Sequence, residues 1–221
     1  MLMSSKDSNS RQPSAVPWTQ AGSAAAFVIR YVSPMRRQLV LWLQDEPLAD
    51  QALALFINHL VSKGYGSHCK GRLRDFLYRG MLSSVKVCLH KTESADRPVV
   101  DLRRLQCDPS GWIEHWTQCL QDHAWRGLEQ WQHNNPGQLD FVLMQATLRQ
   151  PAASLPVLAA NVTAETGQPI DQQTLPEQIQ AARRRWLNLL AKEVALTLDQ
   201  PSRESIRDEM QVLKLASLVS G

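Results

Sequence analysis

The sequence predicts an all-α protein in which a linker joins two helical domains and the C-terminal domain is a helix-turn-helix. Two observations carry this prediction. Apolar residues recur at steps of three and four over residues 39–61, 73–89 and 112–131, which is the spacing of amphipathic helices. No segment alternates apolar and polar residues in the way that is typical of a half-buried strand.

The first predicted domain covers residues 24–91. An Asp-Glu-Pro sequence at residues 45–47 favours the start of a helix, and the Gly-Tyr-Gly turn at residues 64–66 ends it. A further helix is expected over residues 72–91. Gly80 lies inside this helix, where glycine costs about 1 kcal/mol relative to alanine.

The remainder of the chain divides into four predicted segments. Residues 1–23, rich in Ser, Gln and Pro, are expected to form a disordered tail. We expect a linker with a tryptophan-rich helix over residues 92–124, a helix-turn-helix domain over residues 125–200, and a last helix over residues 201–221, opened by Pro201.

The predicted helix-turn-helix contains the clearest local signals. Its first helix covers residues 155–166, with Ser154 as the N-cap and Gly167 as the C-terminal stop. Thr174 and Glu177 then have the spacing of a capping box, which predicts the start of the second helix. In this motif the second helix can lie in the major groove of DNA.

Charge is distributed unevenly along the chain. The 221 residues carry a net charge of only +3, but residues 63–91 contain seven Lys or Arg against one acid, Asp75. A local basic face of this kind attracts polyanions such as nucleic acids.

The cysteines and the apolar segments exclude several classes of protein. None of the four cysteines lies in a CxxC pair, so a zinc ribbon is not expected. Buried thiols are the favoured interpretation, and a metal site at His68-Cys69 and Cys88-x-His90 is the weaker alternative. The polar N-terminus and the short apolar run at 24–29 predict neither a signal peptide nor a membrane span, and hence a cytoplasmic protein.

Four short motifs occur in a particular order. Residues 47–56 read PLADQALALF and residues 71–77 read GRLRDFL. In the second half, Thr174-Leu175 opens the predicted second helix, and Ala182-Arg183-Arg184-Arg185-Trp186 follows within it. Leu158-Ala159 lies in the predicted first helix of the helix-turn-helix. Together, these motifs and their order resemble a divergent member of the extracytoplasmic-function sigma factors of bacterial RNA polymerase.

The resemblance implies an all-α sigma factor that binds core RNA polymerase and promoter DNA, and it allows an anti-sigma protein as a further partner. No cofactor, metal, catalytic residue or small-molecule substrate is implied. The implied polymerase contacts are Asp50, Leu53, Ala54 and Phe56. The chain departs from the family at Leu53 and Ala54, where the family has a Gln-Glu pair.

The resemblance also implies two DNA contacts. The downstream promoter element would meet Arg72, Arg74, Arg79, Ser83, Lys86 and Lys91. The upstream element would meet Thr174, Glu177, Gln178, Ala181, Arg183, Arg184 and Arg185. Phe76 and Tyr78 are candidates for stacking on unpaired bases, with a core position for Phe76 as the alternative.

Two other classes of function stay open. A relative that does not bind polymerase would act as a stand-alone helix-turn-helix regulator or as a protein–protein adaptor. A helical enzyme is the third class, although no G-x-S-x-G, HExxH, P-loop or GxGxxG motif occurs.

Overall fold

A computed structural model describes residues 18–20, 24–65, 70–91 and 100–215. The described residues are helical, as predicted, and contain no strand apart from an isolated antiparallel bridge between Arg72 and Leu198. The helices are α1 (Ala24–Val28), α2 (Val32–Leu43), α3 (Glu46–Lys63), α4 (Leu73–Lys91), α5 (Leu102–Cys107), α6 (Ser110–Asn134), α7 (Asp140–Arg149), α8 (Leu155–Thr166), α9 (Leu175–Leu196) and α10 (Arg203–Val212).

Local signals explain where α3 begins and ends. The Asp45 carboxylate accepts a hydrogen bond from the Leu48 amide at 2.9 Å, and Pro47 lies in the first turn, where a missing N–H costs nothing. Gly64 ends the helix with φ of +64°, a conformation that glycine adopts without strain.

Helices α2, α3 and α4 pack against one another around a buried apolar core. Gly80 lies at the point where α4 crosses α3, because a Cβ at this position would overlap the ring of Phe56. The absence of a side chain therefore allows the two helices to approach closely, which explains a glycine inside a helix.

The long helix α6 connects the two halves of the molecule. It packs on α2 and on α9, and it buries Trp112 and Trp116. It runs without interruption through the predicted boundary between residues 124 and 125. The main hydrophobic core accordingly contains buried residues of α1 to α4, α6, α7, α9 and α10, including Trp186 and Met210.

A smaller hydrophobic cluster lies where α7, α8 and the start of α9 meet. Its buried members are Val142, Leu143, Ala146, Leu158, Ala159, Val162 and Leu175. The predicted bounds of α8 are confirmed, and Gly167 ends this helix in the left-handed conformation at φ of +70°. Ser154 occupies the N-cap position without a side-chain capping bond.

Two predictions of local structure are wrong. Thr174 is the N-cap residue of α9, but it lies in the helical region of φ and ψ and makes no side-chain capping bond, so the predicted capping box does not form. The capping box occurs instead at Ser202 and Ser205, and α10 begins at Arg203 rather than at Pro201.

One residue of the predicted tail belongs to the core. Trp18 is fully buried, and its indole N–H donates a hydrogen bond to the carbonyl of Gly71 at 3.2 Å. Residues 1–17 lie outside the described residues, as does the end of the predicted last helix from residue 216 onward.

Candidate nucleic-acid interface

The exposed face of α4 carries three of the predicted downstream contacts. Arg79, Ser83 and Lys86 are spaced by four and three residues and are all exposed, so they form one stripe along the helix. Lys91 is exposed at the C-terminal end of the same helix. The buried face of α4, which includes Leu77, Met81 and Val85, fixes the direction of this stripe.

A groove of about 740 Å³ runs between α3 and α4 beside the stripe. The rings of Tyr65 and Phe76 line it, with centroids 5.5 Å apart and planes nearly perpendicular. His59, Lys63 and Arg79 also line it and supply hydrogen-bond donors and positive charge. Flat apolar surfaces next to cations are the combination that stacks bases and holds phosphates of a single strand.

The two aromatic candidates on α4 lie in different environments. Phe76 is half-buried and lines the groove, so one part of its ring contacts the core and another faces the groove. Tyr78 is buried, and its hydroxyl donates a hydrogen bond to the carbonyl of Leu105. Only Phe76 is therefore placed to stack on a base.

Arg72 and Arg74, the remaining predicted downstream contacts, are both paired with one carboxylate. Glu209 from α10 is fully buried, and its two oxygens lie 2.6 Å from Nε of Arg72 and 2.6 Å from Nε of Arg74. Arg74 is itself only 7% exposed. The Arg74 guanidinium is enclosed by Glu209 and Asp75, whereas Arg72 pairs with Glu209 through Nε alone and its side chain is 40% exposed.

The predicted polymerase contacts divide into exposed and buried residues. Asp50 and Ala54 are exposed, whereas Leu53 and Phe56 are buried in the core of α3 and α4. Two hydrogen bonds join Asp50 to Arg36, at 2.7 and 3.0 Å, and they hold the pKa of its carboxyl below the ordinary value. Only two of the four side chains are therefore open to a partner in this structure.

The first turns of α9 present most of the predicted upstream contacts. Thr174, Glu177 and Gln178 are exposed, and the Gln178 side-chain amide donates a hydrogen bond to the Thr174 hydroxyl at 3.3 Å. Ala181 is half-buried one turn further along. The opposite side of the helix is buried through Leu175 and other apolar residues, so the polar side is held outward.

The three consecutive arginines of α9 have three different environments. Arg184 is exposed, whereas Arg183 is half-buried and lines a cavity beside Trp186. The Arg185 guanidinium lies 3.4 Å above the centre of the Trp131 ring, and its Nε is 3.2 Å from the buried carboxylate of Asp140. Arg185 thus ties α9 to α6 and α7 and positions the helix.

Four predicted upstream contacts come together at one cavity of about 410 Å³. Its walls include the loops before α7 and before α9. The predicted residues in its lining are Thr174, Gln178, Ala181 and Arg185, and the sequence analysis missed the two acids beside them, Asp140 and Asp171. No local sequence signal connects Asp140 to Arg185, because 45 residues separate them.

A second ionic cluster missed from the sequence links α6 and α9. The Glu193 carboxylate accepts a hydrogen bond from Arg30 at 2.8 Å and lies 3.4 Å from Nδ1 of His123. Burial alone would raise the pKa of this carboxyl, but the nearby His123 ring and the charge of Arg30 outweigh it, so the pKa lies below its ordinary value of 4.5.

Two of the three cysteines in the described part of the chain have the environments of structural thiols, and Cys107 is exposed. Cys88 and Cys119 are buried, and burial raises the pKa of the Cys119 thiol to about 11. Cys88 is buried while its partner in the alternative metal site, His90, is exposed. His68 and Cys69 lie outside the described residues, and within the described part no group of three metal-binding side chains occurs.

Comparison of the chain with protein-family models, with curated proteins and with solved structures found no match. Among the described residues, none of the helices has both the length and the apolar composition that crossing a bilayer requires.

Proposed function

We propose that this protein is a sigma-factor-like initiation protein that binds core RNA polymerase in the cytoplasm and directs it to promoters. The observation that carries the proposal is the exposed stripe of Arg79, Ser83 and Lys86 beside the aromatic groove. The stripe lies on α4, and the resemblance implies that this helix opens the downstream promoter element. No covalent chemistry is needed for this activity.

The second proposed contact is a helix-turn-helix formed by α8 and α9. Glu177, Gln178 and Arg184 are exposed on the side of α9 away from its buried apolar residues. Gln178 is able to pair with adenine through its amide, whereas Arg184 would hold a phosphate and position the helix. The smaller hydrophobic cluster around Val162 joins α8 to the start of α9 and supports this proposal.

Loss of charge from the α4 stripe tests the downstream contact. The double variant Arg79→Ala/Lys86→Ala should bind single-stranded DNA more weakly and with a lower dependence on salt, because two phosphate contacts disappear. Arg103→Ala/Arg104→Ala removes the same charge from the exposed surface of α5 and is the matched control. An equal loss of DNA affinity in both double variants would mean that the stripe acts only through the net charge of the protein.

The upstream contact has its own test. Arg183→Ala/Arg184→Ala should weaken duplex binding to a similar degree for different sequences, because phosphate contacts carry no sequence information. Gln178→Ala should instead weaken binding only to those sequences that the wild-type protein prefers. Unchanged affinity and salt dependence in the arginine variant would remove α9 from the proposed DNA surface.

Polymerase binding is tested by capture of purified core RNA polymerase on the tagged protein, followed by run-off transcription from promoter DNA of its own locus. Stoichiometric capture with specific transcripts would establish the initiation activity. Ala54→Glu restores an acid of the family pattern on the exposed side of α3 and should strengthen capture. Ala160→Glu adds the same charge to the exposed surface of α8 as the control.

A stand-alone DNA-binding regulator or an adaptor is the second candidate, and one observation favours it. Leu53 and Phe56, two of the four positions that the resemblance assigns to polymerase binding, are buried. A folded protein that binds duplex DNA but captures no polymerase would support this candidate. A protein that binds neither would favour the adaptor.

A further inference from the structure

The C-terminal helix α10 holds the start of α4 through one buried carboxylate. Glu209 accepts from Nε of Arg74 at 2.6 Å and lies 2.6 Å from Nε of Arg72, so a single side chain pairs with two of the arginines assigned to DNA. A second bond from Arg74 reaches the other Glu209 oxygen at 3.4 Å, and Asp75 accepts from the same guanidinium at 2.8 Å.

Backbone bonds hold the segment before α10 against the same part of α4. The Leu73 amide donates to the carbonyl of Thr197 at 2.8 Å, and the Asp199 amide donates to the carbonyl of Gly71 at 3.1 Å. The Asp199 carboxylate in turn accepts from the Gly71 amide at 2.8 Å. The chain after α9 therefore closes directly over residues 71–74.

α10 is a short helix that depends on tertiary contacts for its stability. The helix has ten residues and a mostly charged outer surface, whereas Glu209 and Met210 are its buried residues. A helix of this length is marginal in water without tertiary contacts. The attachment of α10 and the residues after it depends on the buried side chains of Met210, Leu213 and Leu215 and on the pairing of Glu209 with the two arginines.

We propose that α10 is an intramolecular clasp in which the Glu209 carboxylate occupies the Nε donors of Arg72 and Arg74 until a DNA phosphate displaces it. This inference rests on the proposed function. A carboxylate and a phosphate bind the same planar set of guanidinium N–H donors. A DNA phosphate can therefore replace the Glu209 carboxylate on the same donors. In the closed state the protein would bind DNA through the α4 stripe alone, with reduced apparent affinity.

Neutralising the clasp is the direct test. Glu209→Gln should bind a fluorescein-labelled single-stranded deoxyoligonucleotide of random sequence about tenfold more tightly in an anisotropy titration, because a charge-assisted bond holding the closed state is lost. Two additional phosphate contacts should also steepen the slope of log K against log salt by about 1.4. Glu204→Gln removes the same charge from the exposed surface of α10 and should change neither quantity.

Two further measurements test the clasp even if Glu209→Gln does not fold: a second variant, and hydrogen exchange of the wild-type protein. Met210→Ala weakens the buried apolar contact of α10 and leaves every charge in place, so it should also tighten DNA binding. In the wild-type protein, addition of the same oligonucleotide should increase amide hydrogen exchange across α10. Unchanged exchange in the DNA-bound protein would overturn the clasp.

The outcomes separate this inference from the proposed function. Equal DNA affinity in the wild-type protein and in Glu209→Gln, with both folded, would overturn the clasp and leave the proposed DNA contact standing. No binding of DNA by any of these proteins would overturn the proposed contact of α4 and the clasp with it. Tighter binding by Glu209→Gln and Met210→Ala, but not by Glu204→Gln, would establish the clasp.

Discussion

The substitution Gly80→Ala separates helix propensity from tertiary packing, because the two predict changes in stability of opposite sign. In an exposed helix, replacing glycine with alanine raises the free energy of unfolding by about 1 kcal/mol. In this fold the added Cβ overlaps three atoms of the Phe56 ring, two of them at 2.6 and 2.9 Å. Phe56 is only 4% exposed, and its ring lies between the core and the groove that α3 and α4 form.

The magnitude follows from these two effects. Overpacking of a well-packed core costs about 1–3 kcal/mol, and overlap with three ring atoms places this site in the upper part of that range. The gain in propensity offsets about 1 kcal/mol. We therefore expect Gly80→Ala to lower the free energy of unfolding by about 2 kcal/mol, measured by urea denaturation followed by far-UV circular dichroism.

The chain contains a matched control in Gly127, which also lies inside a helix. A Cβ at this position meets only Leu189, at an ordinary contact distance of 3.5 Å. Gly127→Ala should therefore raise the free energy of unfolding by about 1 kcal/mol. In the double variant Phe56→Leu/Gly80→Ala the smaller side chain leaves room for the Cβ. The destabilisation of the double variant should therefore be smaller than the sum of the destabilisations of the two single variants.

The reasoning would be refuted by a Gly80→Ala variant as stable as the wild-type protein or more stable. That result, with Gly127→Ala stabilising as expected, would mean that α3 and α4 do not approach as closely as the structure has them. It would also remove the physical reason for a glycine at this position.

Three further predictions concern ionic contacts and thiols. Arg185→Lys keeps the charge but loses the stacking on Trp131 and the bond to the buried Asp140, so it should lower the free energy of unfolding by about 1 kcal/mol. Arg184→Lys, on the exposed surface, should leave the free energy of unfolding unchanged. Equal effects of the two substitutions would contradict the role assigned to Arg185. The pKa of Glu193 is below 4.5 in the folded protein, so its contribution to stability is present above pH 4.5 and is lost as the pH falls through the lower folded-state value. Glu193→Gln should therefore show a smaller loss of melting temperature on acidification, and identical pH profiles would count against the pairing. Iodoacetamide should alkylate the exposed Cys107 well before Cys119, because burial raises the pKa of the Cys119 thiol to about 11. Mass spectrometry of the peptides gives the order of alkylation. Early modification of Cys119 would show that α6 opens readily.

Local sequence signals were sufficient where the physical cause is itself local. The start of α3 at Asp45 and Pro47 depends on side chains within one turn of the helix that they cap. The end of α8 at Gly167 depends on one residue in the left-handed conformation. The capping box at Thr174 failed because the backbone of Thr174 lies in the helical region, where its hydroxyl is not directed at the amides of the first turn.

By itself, the sequence determined that the protein is helical, because apolar spacing and helix-end residues act over a few positions along the chain. The resemblance named Arg79, Ser83 and Lys86 as DNA contacts, and the tertiary structure shows that these three share one exposed face of α4. Only the tertiary structure decided which arginines are paired. Glu209 reaches Arg74 across 135 residues, and contacts between residues so distant in the chain arise from packing, which no periodicity records.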